Sequence, residues 1–166
     1  PRTVRGITAW YWPRRTMAGS GPSSRKSSLS GDSVSELFLD PEGQPTILFV
    51  DASATPHRLG ALQRDHDGLW KRVETNLEGV DPNVVRLEDG SFRAYVKADL
   101  QGTIAVYASR DGLQWTLLGE AFRDPRYPHA TDPDVFRTAD EWVMLVSLGP
   151  RLLRCSPLTV LASPRT

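Results

Sequence analysis

From about residue 32 onward the chain alternates short apolar runs with polar turns. Thr46-Ile47-Leu48-Phe49-Val50, Phe92-Arg93-Ala94-Tyr95-Val96, Thr103-Ile104-Ala105-Val106-Tyr107-Ala108-Ser109 and Trp142-Val143-Met144-Leu145-Val146 are the clearest runs. They are rich in β-branched and aromatic residues and are bounded by turn formers, which is the pattern of strands. The separators include Asp40-Pro41-Glu42-Gly43, Glu88-Asp89-Gly90 and Thr138-Ala139-Asp140-Glu141. Asp-Gly readily takes the positive φ angles of a tight hairpin. Ser33-Val34-Ser35-Glu36 fits a helix capping box, but Pro41 follows too soon for a useful helix. The 13 prolines also argue against long helices. The pattern predicts an all-β chain.

The runs repeat. Val80-Asp81-Pro82-Asn83-Val84-Val85-Arg86-Leu87 returns as Thr131-Asp132-Pro133-Asp134-Val135-Phe136-Arg137-Thr138, an offset of 51 residues between the aspartates. A fainter copy, Ser33-Val34-Ser35-Glu36-Leu37-Phe38-Leu39, precedes both. Each copy leads through a turn to a second apolar run, and a third run follows. The last unit reaches its third run at Arg151-Leu152-Leu153-Arg154-Cys155. Antiparallel units of three or four strands, spaced about 40–50 residues apart, are the mark of β-propeller blades. A β-sandwich also has many short strands, but it does not predict Asp-Pro-Asx-Val at a fixed phase. The expected fold is therefore β-propeller-like, with four-stranded blades and about three blades present. The expected units are 32–79, 80–130 and 131–166, together forming a partial propeller over 32–166.

Two motifs carry candidate chemistry. In Ser109-Arg110-Asp111-Gly112-Leu113-Gln114-Trp115 the aspartate can accept turn N–H groups, Gly112 permits the reversal, and Trp115 can pack between sheets. This turn resembles the Asp-box-type turn of sialidase-like propellers and the corresponding turn of five-bladed glycosidase-like propellers. That likeness implies a structural role for Asp111 and Trp115. Together with the matched Asp81-Pro82 and Asp132-Pro133 steps, it makes residues 32 to 161 resemble the five-bladed propellers of glycoside hydrolase families 43, 32, 62 and 68. In those families the first strand of each blade lines a central channel, and acidic residues at its start form the sugar site.

The resemblance implies Asp81 and Asp132 as catalytic carboxylates at one mouth of the channel, one acting as base and one as pKa modulator. His129 and Asp134 would bind substrate by orienting sugar hydroxyls. Such a reaction needs one carboxyl group to protonate the leaving oxygen and a second to attack or to activate water. Clustered carboxylates let those roles separate by pKa. The general acid of those families is a glutamate on a further blade, and no glutamate here occupies a matching motif position. Glu36 stands where the later units have Asn83 and Asp134, but its surroundings match no acid motif. The alternatives are a non-catalytic propeller that binds sugar or protein, an inactive truncated fragment, and, for Asp81 and Asp132 themselves, strand capping through local N–H groups with proline fixing the chain direction.

Composition narrows the remaining classes. Apolar residues make up 39% of the 166, an ordinary globular fraction, and 20 basic residues cancel 20 acidic ones. That balance argues against wholesale disorder and against a bulk nucleic-acid binder. No apolar run is long enough for a membrane span. The single cysteine, Cys155, cannot form an internal disulfide or a cysteine-rich metal site. In an apolar strand it reads as an inert thiol. The histidines His57, His66 and His129 are far apart, so no metal or cofactor is expected. His66 reads as a solvated turn residue, and His129 beside Asp132 as a sugar contact, a metal contact or a local hydrogen-bonding group.

The charge is uneven. Residues 1–31 hold six basic residues and no acidic one, which leaves the remainder at a net of −6. The preferred reading of this leader is an edge strand over Arg5–Trp12 followed by a Ser/Gly-rich loop. A basic arm with stacking aromatics and a targeting segment are the alternatives. No apolar h-region of a signal peptide is visible, while the resemblance implies a secreted or periplasmic setting. Three blades leave sheet faces open at both ends, which favours association. The expectation is self-association or missing blades, with carbohydrate as the partner and neither nucleic acid nor membrane.

Overall fold

The computed structural model describes residues 32–53, 55–65 and 67–155, with backbone alone for 32–34. The readings of the leader and of His66 fall outside the described residues. Within them the protein is all-β. The strands are β1 (Asp32–Leu39), β2 (Pro45–Asp51), β3 (Arg58–Arg64), β4 (Trp70–Val73), β5 (Val80–Arg86), β6 (Phe92–Lys97), β7 (Ile104–Ser109), β8 (Thr116–Phe122), β9 (Thr131–Arg137), β10 (Trp142–Ser147) and β11 (Leu152–Cys155).

They form three antiparallel meanders, β1-β2-β3-β4, β5-β6-β7-β8 and β9-β10-β11. The third shows three strands among the described residues rather than four. Neighbouring strands pair because the turns are short. At Asp40–Gly43, for example, Gly43 N–H donates to the Asp40 carbonyl and Gln44 N–H to the Asp40 side chain.

The sheets stack face to face, with their first strands β1, β5 and β9 side by side. This explains the sequence of β6. Antiparallel strands usually alternate between core and solvent, but Phe92–Val96 is buried throughout. Phe92, Ala94 and Val96 face the first sheet, where they join Phe38, Leu48, Val50, Leu59, Ala61, Leu77 and Trp115. Tyr95 faces the third sheet, with Val85, Ile104, Val106, Ala130, Val135, Met144 and Val146. The middle sheet is covered on both faces, so its central strand has no solvent side.

The first interface is also aromatic and tightly fitted. Phe38 meets Phe92 edge to face, with ring centroids 5.4 Å apart, a geometry favoured by the ring quadrupoles. The Phe38 ring lies so close to Gly112 that a Cβ there would sit 2.7 Å from it, and Gly112 has φ of +78°. Two independent constraints thus require glycine at this turn. Within the turn, Asp111 accepts the N–H groups of Leu113 and Gln114, and Ser109 Oγ accepts that of Gly112. Trp115, buried at the interface, is clamped from the connection between β4 and β5: its backbone N–H donates to Asn76 Oδ1 at 2.7 Å, and Asn76 Nδ2 donates to its carbonyl at 3.0 Å.

Candidate functional site

The matched Asp-Pro steps share one backbone geometry. In the second sheet the pairing jumps from Val80–Lys97 to Asn83–Tyr95, and in the third from Thr131–Ser147 to Asp134–Leu145. Each jump sets Asp-Pro opposite a single partner residue, which is a β-bulge. The first sheet has a register shift at the equivalent place, between Ser33 and Ser35. Proline suits such a position because the bulge releases the N–H that a ladder would require. Both aspartates are left-handed, with φ of 53° at Asp81 and 48° at Asp132. Aspartate tolerates that region better than most residues, yet a following proline favours extended backbone. Strain of this kind costs about 1–3 kcal/mol per residue and concentrates at functional sites.

The bulges aim these residues into one open cleft of about 230 Å³, lined by Glu36, Asp81, Pro82, Asn83, Asp132, Pro133 and Asp134. Asp81, Asp132 and Asp134, singled out in the sequence, thus lie together on two adjacent sheets. His129 does not line this cleft. It is exposed in the turn before β9, where Ala130 N–H closes on the Tyr127 carbonyl. Glu36 and Asn83 are the additions. Their signal was the alignment of the faint first copy, which sets Glu36, Asn83 and Asp134 at one position.

Hydrogen bonds explain that shared position. Glu36 Oε1 accepts the N–H of Val84 at 3.0 Å and the Asn83 amide at 3.4 Å. Asn83 Oδ1 in turn accepts the N–H of Val135 at 3.0 Å. In each step a side chain on one first strand accepts an outward-pointing backbone N–H from the next first strand, which lies at the edge of its sheet. Thr131 adds a further link by donating its hydroxyl to Asp81. Among the described residues, no backbone N–H donates to the Asp81 or Asp132 carboxyl, so local strand capping is not what the structure shows.

Electrostatics divides the four carboxyl groups into two unequal pairs. Loss of solvent raises the Asp132 pKa above the usual carboxylate value, the charge of Asp81 raises it further, and Lys97 opposes the shift. Burial raises Glu36, the Val84 N–H opposes it, and the charge of Asp134 adds to the rise. Each pair therefore has one member pushed toward its protonated form by burial and by its neighbour. Among the described residues no cluster of three or more His, Cys, Asp or Glu side chains is arranged to hold a metal ion.

No family model matches the chain, and no curated protein matches it. Among solved structures it superposes on a thermostable family-43 glycoside hydrolase with a TM-score of 0.56 at 14% identity. The match covers 69% of this chain and 48% of that one. The fold is a partial β-propeller. A protein of Parabacteroides distasonis, provisionally assigned as a glycoside hydrolase, matches with a TM-score of 0.48 at 15% identity, over 69% of this chain and 46% of that one. The chain thus spans about half the length of the glycoside hydrolases it matches. The expected blade architecture holds, with three successive antiparallel sheets packed around their first strands.

Proposed function

We propose that the cleft binds a glycan and hydrolyses it with carboxyl groups from the three first strands. The single observation that carries this reading is the pairing of unlike carboxyl groups. In each pair burial and the neighbouring charge push one member, Asp132 or Glu36, toward its protonated form, the kind of tuning that separates the acid and base roles of a hydrolase. Asp132, raised by burial and by Asp81, is a stronger base than an ordinary carboxylate and activates water. Asp81, held by the Thr131 hydroxyl, stays beside it as modulator. Glu36 has Oε1 committed to Val84 and Asn83, which leaves Oε2 to carry the proton for the leaving oxygen. Asp134, expected from sequence to orient a sugar hydroxyl, acts instead by keeping that proton on Glu36. The sequence gives His129 a substrate-orienting role, but its exposed position in the turn before β9 leaves it out of this scheme.

A second reading, a non-catalytic sugar-binding propeller, is favoured by the commitment of Glu36 and Asn83 to holding first strands together. Turnover of a panel of aryl glycosides and oligosaccharides, with binding followed by calorimetry, separates the two. The hydrolase reading expects Asp132→Asn and Glu36→Gln each to lower kcat by roughly 10²–10⁴-fold, the usual contribution of a general acid or base, with glycan still bound. It also expects a bell-shaped pH profile, with the acid limb set by Asp132 and the alkaline limb by Glu36. Binding without turnover in the unaltered protein supports the second reading, and neither binding nor turnover defeats both.

A further inference from the structure

The residue before each aspartate points one way in the repeat. In the second sheet it is Val80, whose side chain packs back against the core between the first and second sheets. In the third it is Thr131, whose hydroxyl reaches back across the next interface to the Asp81 carboxyl. The sequence one copy earlier matches each of them. Val34 holds the place of Asp81 in the first copy, and Asp81 holds the place of Asp132 in the second. A valine thus follows a valine, and a hydroxyl follows a carboxyl. Packing does not by itself require that hydroxyl, because Val80 fills the equivalent place without one.

The hydroxyl makes two otherwise similar aspartates unequal. Asp81 and Asp132 share the bulge, the left-handed backbone and the cleft. Their donors differ. Asp81 accepts the Thr131 O–H, whereas among the described residues no donor reaches the Asp132 carboxyl. A hydrogen bond donated to a carboxylate favours its ionised form. The charges that face the pair are Glu36 and Asp134, which share the cleft, and Lys97 at the end of β6. Lys97 favours ionised Asp132 and so works against the order that the hydroxyl imposes.

We infer that Thr131 is the positioning residue of the pair: its hydroxyl holds the Asp81 carboxyl across the interface and fixes Asp81 as the ionised member, which leaves the shared proton to Asp132. The catalytic consequence rests on the hydrolase reading. There the proton released by the attacking water goes to Asp132 and not to Asp81, so Thr131 decides which aspartate is the base.

NMR titration of the aspartate carboxyl groups in the 166-residue protein tests this, with the two signals assigned by Asp81→Asn and Asp132→Asn. As pH falls, Asp132 is expected to take its proton first and Asp81 second. Thr131→Val removes the donor and keeps the branched shape. It should move the Asp81 titration upward by about one pH unit, about tenfold in proton affinity, the scale of one hydrogen bond lost from a charged group. Thr131→Ser keeps the donor and should restore the order. Glu36, Asp134 and Lys97 are the same in all three proteins. The acid limb of kcat should move to higher pH in the Val variant and stay in place in the Ser variant. The order in the unaltered protein and in the Ser variant is read without the Val variant, so a misfolded Val variant does not remove the test. An Asp81 that takes the first proton in the unaltered protein, an Asp81 titration unmoved by Thr131→Val, or a Ser variant that behaves like the Val variant would each overturn the inference. Absence of turnover in the unaltered protein would instead defeat the hydrolase reading, while the titration order still decides the role of Thr131.

Discussion

The two interfaces of this molecule solve one geometric problem with different materials. The first joins β1–β4 to β5–β8 through Phe38, Phe92 and Trp115, and adds a reciprocal clamp between Asn76 and the Trp115 backbone. The second joins β5–β8 to β9–β11 with a buried core of Val85, Ile104, Val106, Val135, Met144 and Val146 around Tyr95, and its other aromatics, Phe122, Tyr127 and Trp142, are only partly buried against that core. Both use the same link near the axis, a side-chain oxygen that accepts a backbone N–H from the neighbouring first strand. The link fixes how adjacent first strands sit, and that placement forms the cleft. The packing farther out sets how strongly the sheets hold. Placement and strength therefore reside in different residues and can be altered separately.

Truncation at the aromatic interface should have the largest effect. Trp115→Ala removes a buried ring and is expected to cost about 3–5 kcal/mol. Its partner in the comparison is Met144→Ala at the aliphatic interface, expected at about 2–5 kcal/mol. Urea unfolding gives both, as a lower midpoint with unchanged slope if only stability has moved. Because Asn76 bonds the Trp115 backbone and not the ring, Trp115→Ala should leave the clamp in place, and Asn76→Ala should add a further loss. A Trp115 effect smaller than that of Met144 would reverse the ranking of the two interfaces.

Asn83 serves both interfaces, and it tests the shared link. It donates to Glu36 and accepts from Val135, a pairing of roles that an amide can fill and a carboxylate cannot. Asn83→Ala leaves the Val135 N–H without its acceptor, at a cost of about 1–3 kcal/mol. The loss should appear as a lower Tm in calorimetry. It should be accompanied by weaker glycan binding, since the first strands that line the cleft lose their spacing. A change in Tm within experimental error would mean that packing alone places the strands.

Much of this was legible in the residues, for identifiable reasons. The strands show because apolar runs such as Trp142–Val146 end at strong turn formers. The blade repeat shows because both bulges use the same Asp-Pro pair. What stayed hidden depends on backbone that the sequence masks. A residue before proline is ordinarily extended, so the left-handed conformation of Asp81 and Asp132 is not legible from the dipeptide. Glu36 was aligned but not placed in the site, because its bulge at Ser33–Ser35 has no Asp-Pro to announce it. His129 looked close to the site by sequence distance, but the turn closed by Tyr127 and Ala130 leaves it on the surface.

The smallest effect separates the two links by charge. At the first interface the acceptor is Glu36, which titrates; at the second it is Asn83, which does not. Burial raises the folded-state pKa of Glu36 above its ordinary value of 4.5, and the charge of Asp134 adds to that rise. A carboxyl group whose pKa is raised on folding binds its proton more tightly in the native state. Its stabilising contribution is therefore fully present below the unfolded pKa, and is lost as pH rises through the folded one. Glu36→Gln removes that dependence. The unaltered protein should thus gain stability relative to the Gln variant as pH falls from neutral toward the ordinary glutamate range. Carboxylates with lowered pKa, such as Asp111 and Asp124, lose stability over acid pH in both proteins and cancel in the difference. Denaturant midpoints measured in parallel at several pH values give that difference directly. A flat difference would show that the first link is electrostatically no different from the second. A difference of opposite sign would show that the Val84 N–H, which favours the ionised form, outweighs burial.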